Sequence, residues 1–251
     1  MTSSKIPFFI YSPGGNITAL IETAAALDFV AVSARVMKQN PEVEQVGFIM
    51  PAKKPVCDFH VEMMGGEFCG NAARCAALRW CLSAKKNSAV FTVSGFDVPL
   101  TVHVQAETVT LRIPGEFLRA EVKVDEGWLV DFYGIRFLVM ERNIGKQEIE
   151  AAVHKYKDSM PAIGVIVAQS SSRGLSIIPW VWVVSTGTLI KETACASGSI
   201  AAALTARKQG LDLPSYSIFQ PSGSVLSVGL EQEFLDITLS GIVKAVSEGV
   251  L

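Results

Sequence analysis

The chain repeats itself once. Setting Cys69 on Cys195, 126 residues apart, also sets Ala76-Ala77-Leu78 on Ala202-Ala203-Leu204. Downstream, Phe91-x-x-Ser94-Gly95 falls on Phe219-x-x-Ser222-Gly223 at an offset of 128, and upstream Val46-Gly47 falls on Ile163-Gly164 at 117. Three matches in the same order at similar spacing predict two related halves, each built from the same run of elements. A chain of 251 residues, 49% hydrophobic, gives the two halves together a sizeable core.

Each half opens on β-branched and aromatic runs, "FFIY" and "ITALIE" in the first, "WLVDFYG" and "RFLVME" in the second. A helix with polar punctuation follows ("FVAVSARVMKQN"; "KQEIEAAVHKYK"), then further strands ("VGFIM", "DFHVEMM"; "IGVIVAQ", "IIPWVWVV"). Next comes a cysteine-led helix, small or apolar on nearly every side in "AARCAALRWCL" and "SIAAALTA", as befits a helix surrounded by other structure. Arg207, Lys208 and Gly210 supply a stop for the second of these helices. The expected fold is α+β, each half a β-rich domain wrapped around its helix. Pro114 and Gly115 in "RIPGEFLRA" carry the best turn chemistry near the midpoint, which sets the halves at 1–116 and 117–251.

A formal charge of -2 provides no sustained basic field for nucleic acid or an anionic membrane, so a small neutral or zwitterionic partner is expected. No apolar run approaches the roughly 20 residues that span a bilayer, and no leader pattern opens the chain, so the expected setting is the cytoplasm. Five cysteines form an odd, uneven set in a chain too large to need staples, which argues against a disulfide framework.

Free cysteine commonly packs as a small hydrophobe, and Cys57, Cys75 and Cys81 are read that way. Cys69 and Cys195 differ because each starts a helix. Unpaired N–H groups and the helix dipole there stabilise an anion and are expected to depress a thiol from about 8.5 toward neutrality. Gly70-Asn71 and Ala196-Ser197-Gly198 leave backbone N–H groups approachable by a carboxylate. If the halves face each other, two helix starts meet in one cleft with a thiol on either side of a bound α-carbon. That arrangement suits inversion at the carbon, one sulfur removing a proton while the other returns one. Preorganised N–H donors, each worth roughly 3 to 4 kcal/mol, would stabilise the enolate-like charge.

Other chemistries fit less well. Cys57-Asp58-Phe59-His60 holds ligand types, but there is no C-x-x-C and no H-x-x-x-H, and the chain has only three histidines, so no metal site is expected. Pyridoxal phosphate would need a phosphate cradle, and none is recognisable, so no cofactor is expected.

"FCGNAARC" around Cys69 and "ETACASGSIAA" around Cys195 resemble the two signature motifs of the diaminopimelate epimerase family, which works without pyridoxal phosphate. Asn16 in "GGNITALI" resembles that family's N-terminal glycine-asparagine element. The resemblance implies two pseudo-symmetric domains, each a sheet curled around a central helix, and Cys69 and Cys195 as paired bases. It places Gly70, Asn71, Ala196 and Ser197 around the substrate α-carboxylate. It also implies a homodimer and allows the last strand, about 240–251, to return to the first domain.

The departures bear on the substrate. The family's Gly-Asn-Pro-His element is replaced by "YGIRFLV", its asparagine before Val-Gly by Ala162, and its Glu-Arg pair by "VVSTGTLIKETAC". A distal carboxylate would lose its bidentate partner. "EQVGFI", "DFH", "EFCGNA", "SGS" and "QPSGSV" are similar instead to the histidine racemases that supply D-histidine to opine-type metallophores. That likeness implies histidine as substrate. Diaminopimelate or another amino acid is the alternative within the class, and a two-domain binding protein the alternative outside it. Glu67 beside the first cysteine is a candidate to accept from an imidazole N–H, as are Asp58, His60, Glu62 and Glu192. Glu192 and Thr193 are alternatively the residues that order the loop before the second helix.

Overall fold

The computed structural model describes residues 5–157, 160–231 and 236–251. Alternating apolar runs become strands and the two small-residue runs become helices. The first half comprises β1 (Pro7–Ser12), β2 (Thr18–Glu22), α1 (Phe29–Gln39), β3 (Gln45–Met50), β4 (Phe59–Met63), α2 (Gly70–Ala84), β5 (Ser88–Val93), β6 (Phe96–Gln105) and β7 (Thr108–Ile113). A 3₁₀ turn at Gly115–Phe117 leads to β8 (Leu118–Val124), β9 (Gly127–Phe132), β10 (Ile135–Met140), α3 (Lys146–Tyr156), β11 (Ala162–Ser171) and β12 (Gly174–Val183). Then follow β13 (Thr188–Lys191), α4 (Ala196–Lys208), β14 (Ser215–Phe219), β15 (Val225–Leu230), β16 (Ile237–Ile242) and β17 (Lys244–Val250).

The repeat in the sequence is a repeat of strand pairing. In the first half β1/β2 is antiparallel, β2/β3 parallel, β3/β4 antiparallel, β4/β5 parallel, and β5/β6 and β6/β7 antiparallel. In the second half β9/β10, β10/β11, β11/β12, β12/β14, β14/β15 and β15/β16 run in the same senses in the same order. Among the described strands only β13, a short hairpin partner of β12, has no counterpart in the first half. The halves join edge to edge through β7 and β16, with Leu111 opposite Leu239. The chain ends by crossing back, since β17 pairs with β1 as β8 pairs with β9.

Burial follows the composition of each helix. From Gly70 to Leu78 every residue of α2 is buried, and so is every residue of α4 from Ala196 to Ala206. Sheet surrounds both, and only small side chains let strands approach a helix from so many directions. The outer helices α1 and α3 bury one stripe each, through Val32 and Val36 and through Ile149 and Val153. Burying each of these side chains contributes about 1.5 to 3 kcal/mol. Asp28 caps α1 by accepting from Ala31 N at 3.0 Å.

Gly95 and Gly223, equated by the repeat, both stand at positive φ, 76° and 85°, in the hairpin turns that follow β5 and β14. Gly210 takes φ 95° just past α4, where the stop residues placed it. At the crossing between halves Phe117 is wholly buried, its ring 4.3 Å from that of Phe68 and 4.6 Å from that of Phe132. Phe68 immediately precedes Cys69, so this aromatic stack holds the loop before α2 against the second half.

Candidate active site

Cys69 and Cys195 are the N-caps of α2 and α4, with nearly identical backbones: φ -133°, ψ 110° for the first and φ -133°, ψ 108° for the second. Each sulfur accepts from the N–H three residues on, Ala72 N at 3.4 Å and Gly198 N at 3.3 Å. Here a thiol fills the place usually given to serine or aspartate. The two helix starts touch. Gly70 N donates to Ser197 Oγ at 3.4 Å, and a Cβ on Gly70 would lie 3.0 Å from that of Ala196. Asn71 Nδ2 donates to the Ala194 carbonyl at 3.0 Å, and Arg74 holds the other end of that amide by donating to Oδ1 at 2.8 Å.

A narrow cavity of about 30 Å³ opens between them. Cys69, Asn71, Cys195, Ala196 and Ser197 form one side, joined by Glu67 and Glu192. Met64, Phe68, Ile135, Val181, Val183 and Ile190 supply apolar walls, and Glu44 and Gln45 complete the lining. So narrow a space holds a few waters at most.

Burial dominates the electrostatics of this site. Both thiols are pushed well above the ordinary thiol range, contrary to the depression expected from the helix starts alone. Desolvation is the largest cause for each. The helix N–H groups pull the other way, but the Glu192 carboxylate opposes them at both sulfurs. Glu67 is 5% exposed, and its carboxyl is raised to about 7, chiefly by burial. Glu192 is raised to about 8 by burial, with Glu44 and Glu67 adding repulsion and the polar groups of Cys195 and Asn16 opposing it. Glu67 Oε2 and Glu192 Oε2 are both buried without a hydrogen-bond partner. No lining residue is cationic, so the cavity is suited to a ligand that brings positive charge.

Of the residues singled out in the sequence, seven line the cavity: Cys69, Asn71, Glu67, Glu192, Cys195, Ala196 and Ser197. Gly70 lies behind it in the helix contact. Asn16 is wholly buried behind Glu192, its Nδ2 3.4 Å from Glu44 Oε2 and its φ at 50°. Three of the imidazole candidates stand elsewhere. His60 is buried between Thr92 Oγ1 and Glu62 Oε2, each at 2.9 Å, while Asp58 accepts from Val90 N at 2.9 Å and pairs with Lys86. They fasten β4 to its neighbours and do not reach the cavity. Thr193 orders its loop by donating to Glu44 Oε1 at 2.5 Å. All five cysteines are free thiols.

Glu44 and Gln45 escaped the sequence reading. Gln45 Oε1 accepts the Cys69 thiol at 3.0 Å, yet in sequence it is only a polar residue opening the strand "QVGFIM". The apolar wall from β12 was also missed as lining. Val181 and Val183 share a strand face, and alternation does not tell a core face from a cavity face.

A family model described as the histidine racemase CntK N-terminal domain matches residues 5–251. The histidine racemase of Fusobacterium nucleatum subsp. nucleatum is 31% identical over 265 residues, covering 97% of this chain and 95% of that protein. Among solved structures, one described as a predicted epimerase from Pseudomonas aeruginosa superposes with TM-score 0.72 at 14% identity, covering 98% of this chain and 99% of that one. A hydroxyproline epimerase from Agrobacterium vitis, with bound trans-4-hydroxy-L-proline, gives 0.68 at 13% identity, over 100% of this chain and 93% of that one. At these identities the solved structures establish the shared two-domain α+β fold.

Proposed function

The chain belongs to the histidine racemase family, and from that premise we propose that it interconverts L- and D-histidine with Cys69 and Cys195 as the two proton carriers and no cofactor. The observation that carries the reading is the matched pair of N-cap thiols on one cavity, alike in backbone to within a few degrees. In the reaction one sulfur, as thiolate, takes the α-hydrogen from one face of the carbon. The other, as thiol, delivers a proton to the opposite face. The α-carboxylate lies at the starts of α2 and α4, where Asn71, Ala196 and Ser197 face it and Gly70 keeps the helices close. Their N–H groups stabilise the enolate-like charge, each contributing roughly 3 to 4 kcal/mol. Several donors are required because an amino-acid α-hydrogen is so weak an acid.

Glu67 reads the imidazole in this proposal. Its unpartnered Oε2 accepts a ring N–H, and Met64, Phe68 and the β12 valines enclose the ring's faces. Asn16 acts at one remove, favouring the charged form of Glu192 and donating to Glu44. The domains divide at the Pro114–Gly115 turn, 1–116 and 117–251, with β17 returned to the first; its pairing with β1 supports that assignment. The proposal extends to a cytoplasmic homodimer whose D-histidine enters metallophore synthesis, for which the support is family resemblance.

Chiral chromatography of L-histidine incubated with the purified protein, with no added cofactor, tests the reading. Racemisation is expected, with deuterium entering Cα in heavy water, and Cys69→Ser and Cys195→Ser are each expected to lose it. Undiminished turnover by the double serine variant would overturn the two-thiol mechanism.

A further inference from the structure

The two sulfurs share a backbone geometry but not a proton acceptor. Cys69 donates to Gln45 Oε1, an amide oxygen that does not take up a proton at ordinary pH. The repeat puts Ala162 at the position of Gln45 in the second half, so Cys195 has no matching amide. It has Glu192 instead, which lines the same cavity three residues before Cys195 and whose carboxylate acts on the thiol. Three residues before Cys69 stands Gly66, so Cys69 has no carboxylate at the corresponding place. One oxygen of Glu192, Oε2, is buried with no partner of its own.

We propose that Glu192 is the proton partner of Cys195, taking the thiol proton to create the attacking thiolate, and that the two sulfurs of this racemase are therefore charged by different routes. The inference rests on the two-thiol reading above. In the step, the Cys195 S–H bond breaks and a Glu192 O–H bond forms. The thiolate then takes the α-hydrogen, forming S–H as Cα–H breaks, and the electron pair spreads into the substrate carboxylate. Cys69 protonates the opposite face and is left as thiolate. The protein's charge is the same before and after, so no charge has to leave the closed cavity. A transfer between neighbours avoids the cost of ionising a lone buried thiol.

The loop is built to hold this carboxylate still. Thr193 N and Oγ1 both donate to Glu44, at 3.2 and 2.5 Å, while Asn16 N donates to Thr193 Oγ1 at 2.5 Å. Asn16 Nδ2 also donates to Glu44 Oε2 at 3.4 Å. The first half thereby fixes the residue that serves the second half's cysteine. The ionisable groups that interact with Glu192 are Glu44, Glu67, Cys195 and Cys69. The two carboxylates and burial raise it to about 8, nearer the thiol range than an ordinary glutamate.

The test is the pH dependence of kcat/KM for L-histidine, measured from pH 6 to 10 on wild type, Glu192→Gln and Glu192→Asp. Once Glu192 has ionised, raising the pH further no longer increases the neutral-acid, thiolate form of the pair. Wild type should therefore climb and level off near about 8. Glu192→Gln must ionise the thiol outright, so its activity should keep climbing beyond pH 9. The variant-to-wild-type ratio, in which substrate titration cancels, should rise roughly tenfold per pH unit above the wild-type plateau. Glu192→Asp, which keeps a carboxylate, should restore the plateau at lower turnover; it decides the matter if the glutamine variant does not fold. Parallel profiles for wild type and Glu192→Gln, or an aspartate variant that keeps climbing as the glutamine variant does, would overturn the inference while leaving two-thiol racemisation standing. Wild type that racemises no histidine at any pH would overturn both.

Discussion

Asn71 Nδ2 donates to the carbonyl of Ala194 at 3.0 Å, and this bond ties the start of α2 to the residue that precedes Cys195. It spans the two halves at the one level where both sulfurs sit. Asn71→Ala would leave a buried carbonyl and part of the Arg74 guanidinium without partners, at about 1 to 3 kcal/mol for the lost pairing. The expected outcome is a lower denaturation midpoint in urea together with a fall in kcat/KM of tenfold or more, since the two proposed proton carriers lose their common reference.

Arg74 is wholly buried, and NH2 donates to both Asn71 Oδ1 and the Pro13 carbonyl at 2.8 Å. Burial pushes its guanidinium down to about 10, still charged at neutral pH. Its role is to orient Asn71, so the effects of Arg74→Met and Asn71→Ala should not add. A double-mutant cycle on kcat/KM is expected to show coupling of about 1 kcal/mol or more. Additive losses would mean that Arg74 acts elsewhere.

Glu67 yields a pH prediction whose sign follows from its shift. Its folded-state value is raised from 4.5 to about 7, so folding favours the protonated acid. The stability this contributes is fully present below about 4.5 and is lost as pH rises through about 7, a change on the order of 3 kcal/mol. Glu67→Gln stays neutral throughout. In urea titrations it should match wild type near pH 4 and exceed it at pH 8. With Glu67 reading the imidazole as proposed, affinity for histidine at pH 8 should fall at the same time, because a neutral amide oxygen accepts the ring N–H more weakly than a carboxylate.

Why the cysteine pair was visible in sequence and its surroundings were not is a matter of range. Cys69 and Cys195 announce themselves by local context, a thiol before a run of small helical residues, and the repeat pairs them across 126 positions. Strand runs can be read from alternation but their order cannot, and only the resemblance allows the last strand to return to the first domain. Gln45 and Glu44 carry no such mark, because a polar residue at a strand entrance is ordinary until the fold sets it against a helix start. Asp58, His60 and Glu62 carried a misleading one: ligand chemistry in a row, spent in the structure on β4 and its neighbours. The thiol ionisation erred for a related reason. Helix dipoles act locally and can be read from sequence, whereas the burial that outweighs them belongs to the closed interface.

Gly70 offers a test that separates stability from alignment. It sits in the first turn of α2, where alanine would gain roughly 1 kcal/mol of helix propensity. A Cβ there, however, would stand 3.0 Å from that of Ala196 and 3.3 Å from Leu239, tighter than side chains normally pack. The helix starts must then move apart by a few tenths of an ångström, so the propensity gain and the crowding should largely cancel in the urea midpoint. Catalysis has no such compensation. In the proposed mechanism both thiols must reach one carbon from opposite faces, and misplacement near 1 Å costs on the order of a hundredfold. Gly70→Ala is therefore expected to fold with near-wild-type stability while kcat falls more than tenfold, and Gly70→Ser to behave similarly. A fully active alanine variant would show that the touching helix starts do not set the distance between the sulfurs.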